Sequence, residues 1–379
     1  MHIRKQSSAI LALVIFVVVP SLFCVASDKP WTEKRANDWY SHQPWLVGSN
    51  FIPSTAINQL EMWQADSFDL PTIDRELGWA ESLGMNTMRV FLHNLLWQQD
   101  SAGFLQRMEQ FLAVADKHHI RITFVLLDSV WDPNPQLGKQ REPRPFVHNS
   151  GWVQAPGADF LKNEARWKHE LQPYIVGVIH HFRRDKRVLV WDLMNEPDND
   201  NVQYKNQELP NKGVLALRLL KQEWRWARTA HPSQPLTSGV WKGDWSEGSL
   251  SEMGRFQLEN SDVITFHCYG PPDSMKERIA SLRRFHRPLI CTEYMARPLG
   301  STFAAILPIL KKEEVGAYNW GFVSGKTQTI YPWDSWEKAY TAEPPLWFHD
   351  IFRKDGTPYD PQETEFIRRI TGKSDASNT

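Results

Sequence analysis

The chain has 379 residues, 41% hydrophobic and 23% charged, with a formal net charge of -1. That is too long for a mini-protein and suits one large α/β barrel or two modest domains. Its basic residues are scattered, so the chain lacks the electrostatic footprint expected of a partner for nucleic acid or an anionic membrane surface.

At the N-terminus, Arg4 and Lys5 precede the apolar run Ala9 to Val19, then Pro20 and small residues around Ala26 and Ser27. This is the order of a secretory signal peptide. The expectation is a leader over 1–27, export to the periplasm or beyond, and no stable membrane insertion after cleavage. The apolar run is short for a membrane span, with a retained anchor as the alternative. A folded domain is expected over 28–372 and a solvated tail over 373–379.

Beyond the leader, short apolar runs rich in β-formers alternate with amphipathic helical patterns, the signature of βα units around a parallel sheet. Strands are expected at Trp45–Asn50, Asn86–Leu92, Arg121–Asp128, Val188–Asn195, Leu236–Trp241, Val263–Tyr269, Pro288–Tyr294 and Gly316–Phe322. Helical spacing marks 73–84, 104–119 and 213–230 between them. Eight such units predict an α/β fold, a single (β/α)8 TIM barrel. A doubly wound Rossmann-like sheet is the rival, but no glycine-rich phosphate loop follows any strand. The segment 128–163 after the third strand is a long loop rich in Pro, Asn and Gly, a length that is usually functional or disordered. Its basic cluster Lys139, Arg141 and Arg144 is expected to face solvent.

Working residues of a barrel sit at the C-terminal strand ends. In strand order these ends offer Arg89, then Asn195-Glu196, Trp241, His267 with Tyr269, Glu293 and Trp320. Glu196 and Glu293 stand on strands 4 and 7, across a barrel mouth from each other. Two carboxyl groups over one substrate are what glycoside hydrolysis requires, one to protonate the leaving oxygen and one to attack or to activate water. Arg89 beside one of them would keep it ionised while the less solvated one keeps its proton.

The motifs N-E-P (195–197), H-x-Y (267–269), T-E-Y (292–294), Y-N-W-G (318–321) and the arginine in T-M-R-V-F (87–91) together resemble glycoside hydrolase family 5, retaining enzymes on (β/α)8 barrels. The resemblance spans nearly the whole chain beyond the leader. It implies Glu196 as general acid/base, Glu293 as nucleophile and Asn195 as a ligand of the sugar 2-OH. Arg89 and Tyr269 would hold Glu293, His267 would line the site near the acid/base, and Trp320 would lie under the ring being cleaved. Pro197 is expected to favour an extended backbone at Glu196. Family members commonly carry a histidine near the end of strand 3. This chain reads FVLLDSVWDP there, so His93 or Asp128 is expected to fill that space.

Tryptophan is abundant, 18 residues beside 19 Phe and 9 Tyr. It suits sugar faces as well as cores, and three to six are expected in a ligand cleft. Trp241 has the strongest claim among the loop tryptophans Trp97, Trp131, Trp152, Trp241, Trp245, Trp333 and Trp336. Strand alternation points Cys268 toward the helices and Cys291 inward, which predicts two free buried thiols rather than a disulfide. The pairs His118-His119 and His180-His181 read as surface histidines. The run 198–201 lacks the spacing and glycine of a calcium loop. The expectation is therefore an exported, monomeric retaining enzyme acting on a β-linked carbohydrate of mannan, glucan or xylan type, needing no metal or cofactor. A non-catalytic carbohydrate-binding barrel is the alternative.

Overall fold

The computed structural model describes residues 29–373. The expected leader, and the tail beyond Lys373, lie outside the described residues. The eight strands are β1 (Val47–Asn50), β2 (Thr87–Phe91), β3 (Arg121–Asp128), β4 (Val188–Asn195), β5 (Leu236–Thr237), β6 (Ile264–His267), β7 (Leu289–Tyr294) and β8 (Gly316–Asn319). Each lies within an expected strand and pairs in parallel, in the order β5-β4-β3-β2-β1-β8-β7-β6. The two ends of that order meet at Val240. Its N–H donates to the Thr265 carbonyl at 3.1 Å, and its carbonyl accepts from the His267 N–H at 3.0 Å. The sheet is thereby closed, and the domain is a single (β/α)8 TIM barrel.

Four strands stop short of the expected ends, β2 by one residue, β6 by two, and β5 and β8 by more. β5 leaves the ladder after Thr237, where the Gly239 carbonyl is taken by the Gln257 amide at 2.7 Å and the Ser238 hydroxyl bonds the Met194 carbonyl. β8 ends before Trp320 because Gly321 turns the chain with φ +80, and a Cβ there would sit 2.5 Å from Cβ of His349. Trp241 and Trp320 are therefore loop residues held just beyond their strands.

The expected helices form at Leu70–Ser82, Asn94–Lys117 and Lys212–Thr229. In the last, Leu215, Leu219 and Trp226 fall on the buried face, as their spacing requires. The N-terminal helix Glu33–Ser41 brings Trp39 and Tyr40 against Leu46, Leu189, Val190, Val263, Ile290 and Tyr318, which fill the barrel near the strands' N-terminal ends. Above that plug the interior turns polar. The hydroxyls of Thr87 and Thr123 bond the Tyr318 hydroxyl at 2.7 and 3.0 Å, and the next layer holds Arg89 and Asp192. No helix among the described residues is long and apolar enough to cross a membrane.

Cys268 and Cys291 are free and buried, but they do not diverge as alternation suggested. Both belong to one apolar cluster. Burial, with Cys268 acting in the same direction, pushes the Cys291 thiol up. Register shifts between Phe266 and His267 against β7, and between Cys291 and Tyr294 against β8, break the two-residue period that the parity argument assumed.

Candidate active site

The alternation of β2 puts Thr87 and Arg89 on the interior face, and Arg89 is completely buried. A buried guanidinium is tolerable only when its donors are matched. Nε and Nη2 donate to Oδ2 of Asp192 at 3.0 and 2.9 Å, and Nη1 to Oδ1 of Asn50 at 2.9 Å. The remaining bonds reach the mouth: Nη1 to Oε1 of Glu293 at 2.9 Å and Nη2 to Oδ1 of Asn195 at 2.7 Å. One side chain thus ties β1, β2, β4 and β7 together just beneath the rim.

Glu293 has its other oxygen bonded by the Tyr269 hydroxyl at 2.8 Å. His267 Nδ1 stands 3.4 Å from that same oxygen and 2.8 Å from Oε1 of Glu196. Glu196 receives a further donor, Nδ2 of Asn199, at 2.6 Å on Oε2. The orientation of Asn199 is fixed, because its Oδ1 accepts the Asn201 N–H at 2.8 Å. Glu196 has φ 42, so its backbone is left-handed rather than the extended form expected before Pro197. Such a conformation in a non-glycine residue costs about 1–3 kcal/mol and persists where surrounding contacts fix it. Here His267 and Asn199 grip the carboxyl on both oxygens.

Burial acts on both acids in the same direction, and their partners differ. It raises Glu196 to about 7, against the Asn199 amide and the positive field of Arg89. Burial raises Glu293 as well, with Glu196 acting in the same sense, while His267, Arg89 and the Tyr269 hydrogen bond oppose it. Of the two, Glu293 has the direct ion pair with Arg89, which favours its charged form over that of Glu196. Burial lowers His267 to about 4, so its imidazole is neutral near pH 7. Tyr269, raised by burial, is the phenol that donates to Glu293.

These groups open into a cleft of about 360 Å³. Asn195, Glu196, Glu293, Tyr269, Trp241 and Trp320 all line it. Five tryptophans do so, namely Trp131, Trp152, Trp241, Trp320 and Trp333. Trp241 is anchored by its Nε1 donating to Oδ1 of Asp198 at 2.8 Å. Trp320 meets Phe91 and Trp152 edge-on, with centroids 5.7 and 5.8 Å apart. Trp245 is buried, Trp97 packs beside Tyr174, and Trp336 stacks on Trp131.

His93 is placed elsewhere. Its Nδ1 caps the helix Asn94–Lys117 by accepting the Leu95 N–H, and Nε2 lies 2.9 Å from the Gln154 carbonyl. Asp128 faces the cleft at the end of β3. It accepts from Trp152 Nε1 at 2.6 Å and from Asn195 Nδ2 at 3.0 Å, and burial raises it to about 7. Asn195 therefore has both ends of its amide fixed, one by Arg89 and one by Asp128.

Three participants escaped the sequence reading. Asp192 lies inside the apolar run of β4, where a lone carboxylate signals a buried partner. Asn50 ends β1 as Asn195 ends β4. Asn199 carries no local signal, since the fold of its loop decides what it touches. Glu196, His267 and Glu293 could present ligand atoms within 4.8 Å of one another to a metal ion. Both oxygens of each carboxyl group, however, already engage Arg89, Tyr269, His267 or Asn199.

No protein-family model matches the chain, and no curated protein matches it. Solved structures do match across most of its length. An exo-β-1,4-mannosidase from Opitutaceae bacterium strain TAV5 superposes with a TM-score of 0.58 at 16% identity, covering 87% of this chain. The chain spans 59% of that protein's length. The endo-β-1,4-mannanase from Thermotoga petrophila gives 0.55 at 15% identity, covering 88% of this chain and 77% of that one. A variant of GH5_18 from Bifidobacterium longum, solved in complex with Manb1-4GlcNAc, gives 0.54 at 11% identity, covering 88% and 79%. At such identities the likeness is one of fold, and this chain is built on the same barrel as those proteins.

Proposed function

We propose that the chain is a retaining β-glycoside hydrolase of the family 5 type. The observation that carries the reading is the carboxyl pair. Glu196 and Glu293 each bring an oxygen within 4.8 Å of the other across His267. Retaining pairs stand about 5–5.5 Å apart, and inverting pairs about 6.5–9.5 Å to admit a water. Their environments differ in the sense the reaction needs, with an arginine on one and a proton on the other.

In the first step a carboxylate oxygen of Glu293 attacks the anomeric carbon as the bond to the leaving oxygen breaks. Glu196 delivers its proton to that oxygen. A glycosyl ester on Glu293 results, with Asn195 placed to bond the 2-OH. In the second step Glu196, now a carboxylate, takes a proton from water, whose oxygen displaces Glu293 from the anomeric carbon. Neutral His267 keeps Glu196 oriented through both steps. Arg89 and Tyr269 stabilise Glu293 as it leaves with its charge restored.

The fold neighbours, by name a mannosidase and a mannanase, make β-1,4-mannosides the first substrates to test, ahead of β-glucans and xylans. Export and a monomeric state belong to the same proposal. The test is to follow by NMR the anomer first released from a panel of β-linked oligosaccharides. The β-anomer is expected first, and both Glu196→Ala and Glu293→Ala should abolish its release. Initial release of the α-anomer, or full activity in Glu293→Ala, would refute retention through this residue. Saturable binding with no turnover on any substrate would point instead to a carbohydrate-binding barrel.

A further inference from the structure

A buried ion pair adjoins the loop that carries Glu196. Lys212 opens the helix Lys212–Thr229 and is 4% exposed. That is a poor place for a cation, because burial removes its hydration and a helix N-terminus favours negative charge. Its Nζ donates to Oε2 of Glu208 at 2.8 Å and also to the Ser129 carbonyl. Burial lowers Lys212, and Glu208 opposes the shift. Burial raises Glu208 in turn, but Lys212 and the amides of Asn201 and Gln154 outweigh it and hold the carboxyl below its ordinary range.

The bonds of the pair gather the loops after β3 and β4. The Gln154 amide donates to Oε2 of Glu208 at 2.6 Å and to the Trp131 carbonyl at 3.0 Å. Nδ2 of Asn201 donates to the same Glu208 oxygen and to the Ser129 carbonyl, both at 2.8 Å. Oδ1 of Asn201 accepts the Trp131 N–H at 2.7 Å. Asn201 is therefore held on three sides, with a left-handed φ of 42. Its own N–H fixes Oδ1 of Asn199 at 2.8 Å, and Nδ2 of Asn199 reaches Oε2 of Glu196 at 2.6 Å. An unbroken chain of hydrogen bonds thus runs from Lys212 to the acid.

Stability alone does not account for the pair. Apolar side chains of similar volume in place of a buried ion pair are often neutral or stabilising. What they cannot supply is direction, since only polar partners fix which way the Asn201 amide points. Neither Lys212 nor Glu208 lines the cleft, so neither acts on a substrate directly.

We infer that Lys212 and Glu208 are positioning residues for Glu196, acting through Asn201 and Asn199 to aim its carboxyl at the leaving oxygen. This deepens the proposed hydrolase function and rests on it.

The experiment compares the full protein with its Glu208→Leu/Lys212→Met variant. That variant leaves no lone charge buried, and Asn201 and Gln154 keep the carbonyls of Ser129 and Trp131 as acceptors. The substrates are β-1,4-linked pentasaccharides of mannose, glucose and xylose, and the 2,4-dinitrophenyl β-glycosides of the matching disaccharides. A sugar alcohol needs a proton to leave, whereas dinitrophenolate leaves unaided. On the pentasaccharide, kcat/KM should fall about 10–10²-fold, the range for a catalytic group displaced by a change away from the chemistry. The initial burst of dinitrophenolate, which reports the first step alone, should keep the wild-type rate. The alkaline limb of kcat/KM should move upward, because Lys212 and Asn199 both favour ionised Glu196. Arg89, Asp128, Asp198, His267, Tyr269 and Glu293 also act on this acid and stay as they are. Asn199→Ala should move the limb less in the variant than in the wild type, since both interrupt one chain. Asn201→Gly breaks the chain midway while accepting the positive φ, and should reproduce the pattern whether or not the double variant folds. Equal effects on the two kinds of substrate, or an unmoved limb, would overturn the inference and leave the hydrolase intact. Absence of cleavage of every substrate by the wild-type protein would overturn the hydrolase reading and this inference with it.

Discussion

Arg89 shows how little of this site can be changed in isolation. Its guanidinium satisfies Asp192, Glu293, Asn50 and Asn195 at once, a geometry a lysine ammonium cannot reproduce. Arg89→Lys is expected to lower kcat by about 10²–10³-fold, the weight of one preorganised donor. It should also cost about 3–5 kcal/mol of stability, read by denaturant unfolding, since Asp192 loses its partner in the interior. Glu196 predicts the opposite balance. Glu196→Gln removes a buried ionisable group, so activity should fall about 10²–10⁴-fold while stability is kept or improved. Because the acid must be protonated and its pKa is about 7, kcat/KM should fall as pH rises through that value. The Asn199 amide favours the ionised form, so Asn199→Ala should move this alkaline limb upward. A downward move would remove Asn199 from the account. The meeting of Glu196, Glu293 and Arg89 at the barrel mouth was legible because charged residues at the ends of apolar runs need a reason to be there. The left-handed backbone of Glu196 was not, since it is imposed by His267 and Asn199 from other elements.

At the scale of elements, the apolar runs located all eight strands, because a strand buried on both faces must read as a continuous apolar stretch. Their ends were less legible. β5 and β8 stop early where Gln257 and Gly321 intervene, and nothing near Leu236 announces a glutamine on the following helix. The register shift at His267 likewise arises between strands, so counting residues within one strand placed Cys291 wrongly. The loop after β3 was recognisable by its length, but its stack on Trp336 is a contact between distant segments. That stack makes a prediction. Trp336→Ala should raise amide hydrogen exchange across residues 141–152 and leave the β-strands protected. Unchanged exchange there would mean that the loop keeps its fold without the tryptophan pair.

Across the whole molecule, several carboxyl groups are buried at a cost that depends on pH. Burial raises Glu76, Asp128, Glu196 and Asp350 to about 7, from ordinary values of 4.5 or 3.8. Glu223, whose two oxygens lack partners, is also raised well above its ordinary value by burial. Each binds its proton more tightly folded than unfolded, so its contribution is present below the ordinary carboxylate range and lost as pH rises toward 7. The buried histidines His93, His148 and His267, lowered to about 3, 4 and 4, work in the other direction. Their contribution grows with pH up to their ordinary 6.5 and offsets much of the carboxylate loss in that interval. Above it the carboxylate loss stands alone, so the melting temperature should be lower at pH 8.5 than at pH 6. Glu223→Gln should narrow that gap. Equal melting temperatures at the two pH values would mean these carboxyls are solvated in the native state.

The proposed reaction depends on Glu293 being the residue that bonds to sugar, and a covalent trap tests this most directly. The protein is incubated with an activated 2-deoxy-2-fluoro-β-glycoside of the preferred sugar, digested with protease and mapped by mass spectrometry. The account predicts one fluoroglycosyl unit per chain, on Glu293, with none in Glu293→Ala and slow release when an acceptor sugar is added. A label on Glu196 or any other residue would contradict it, as would turnover of the reagent with immediate release of the inverted sugar.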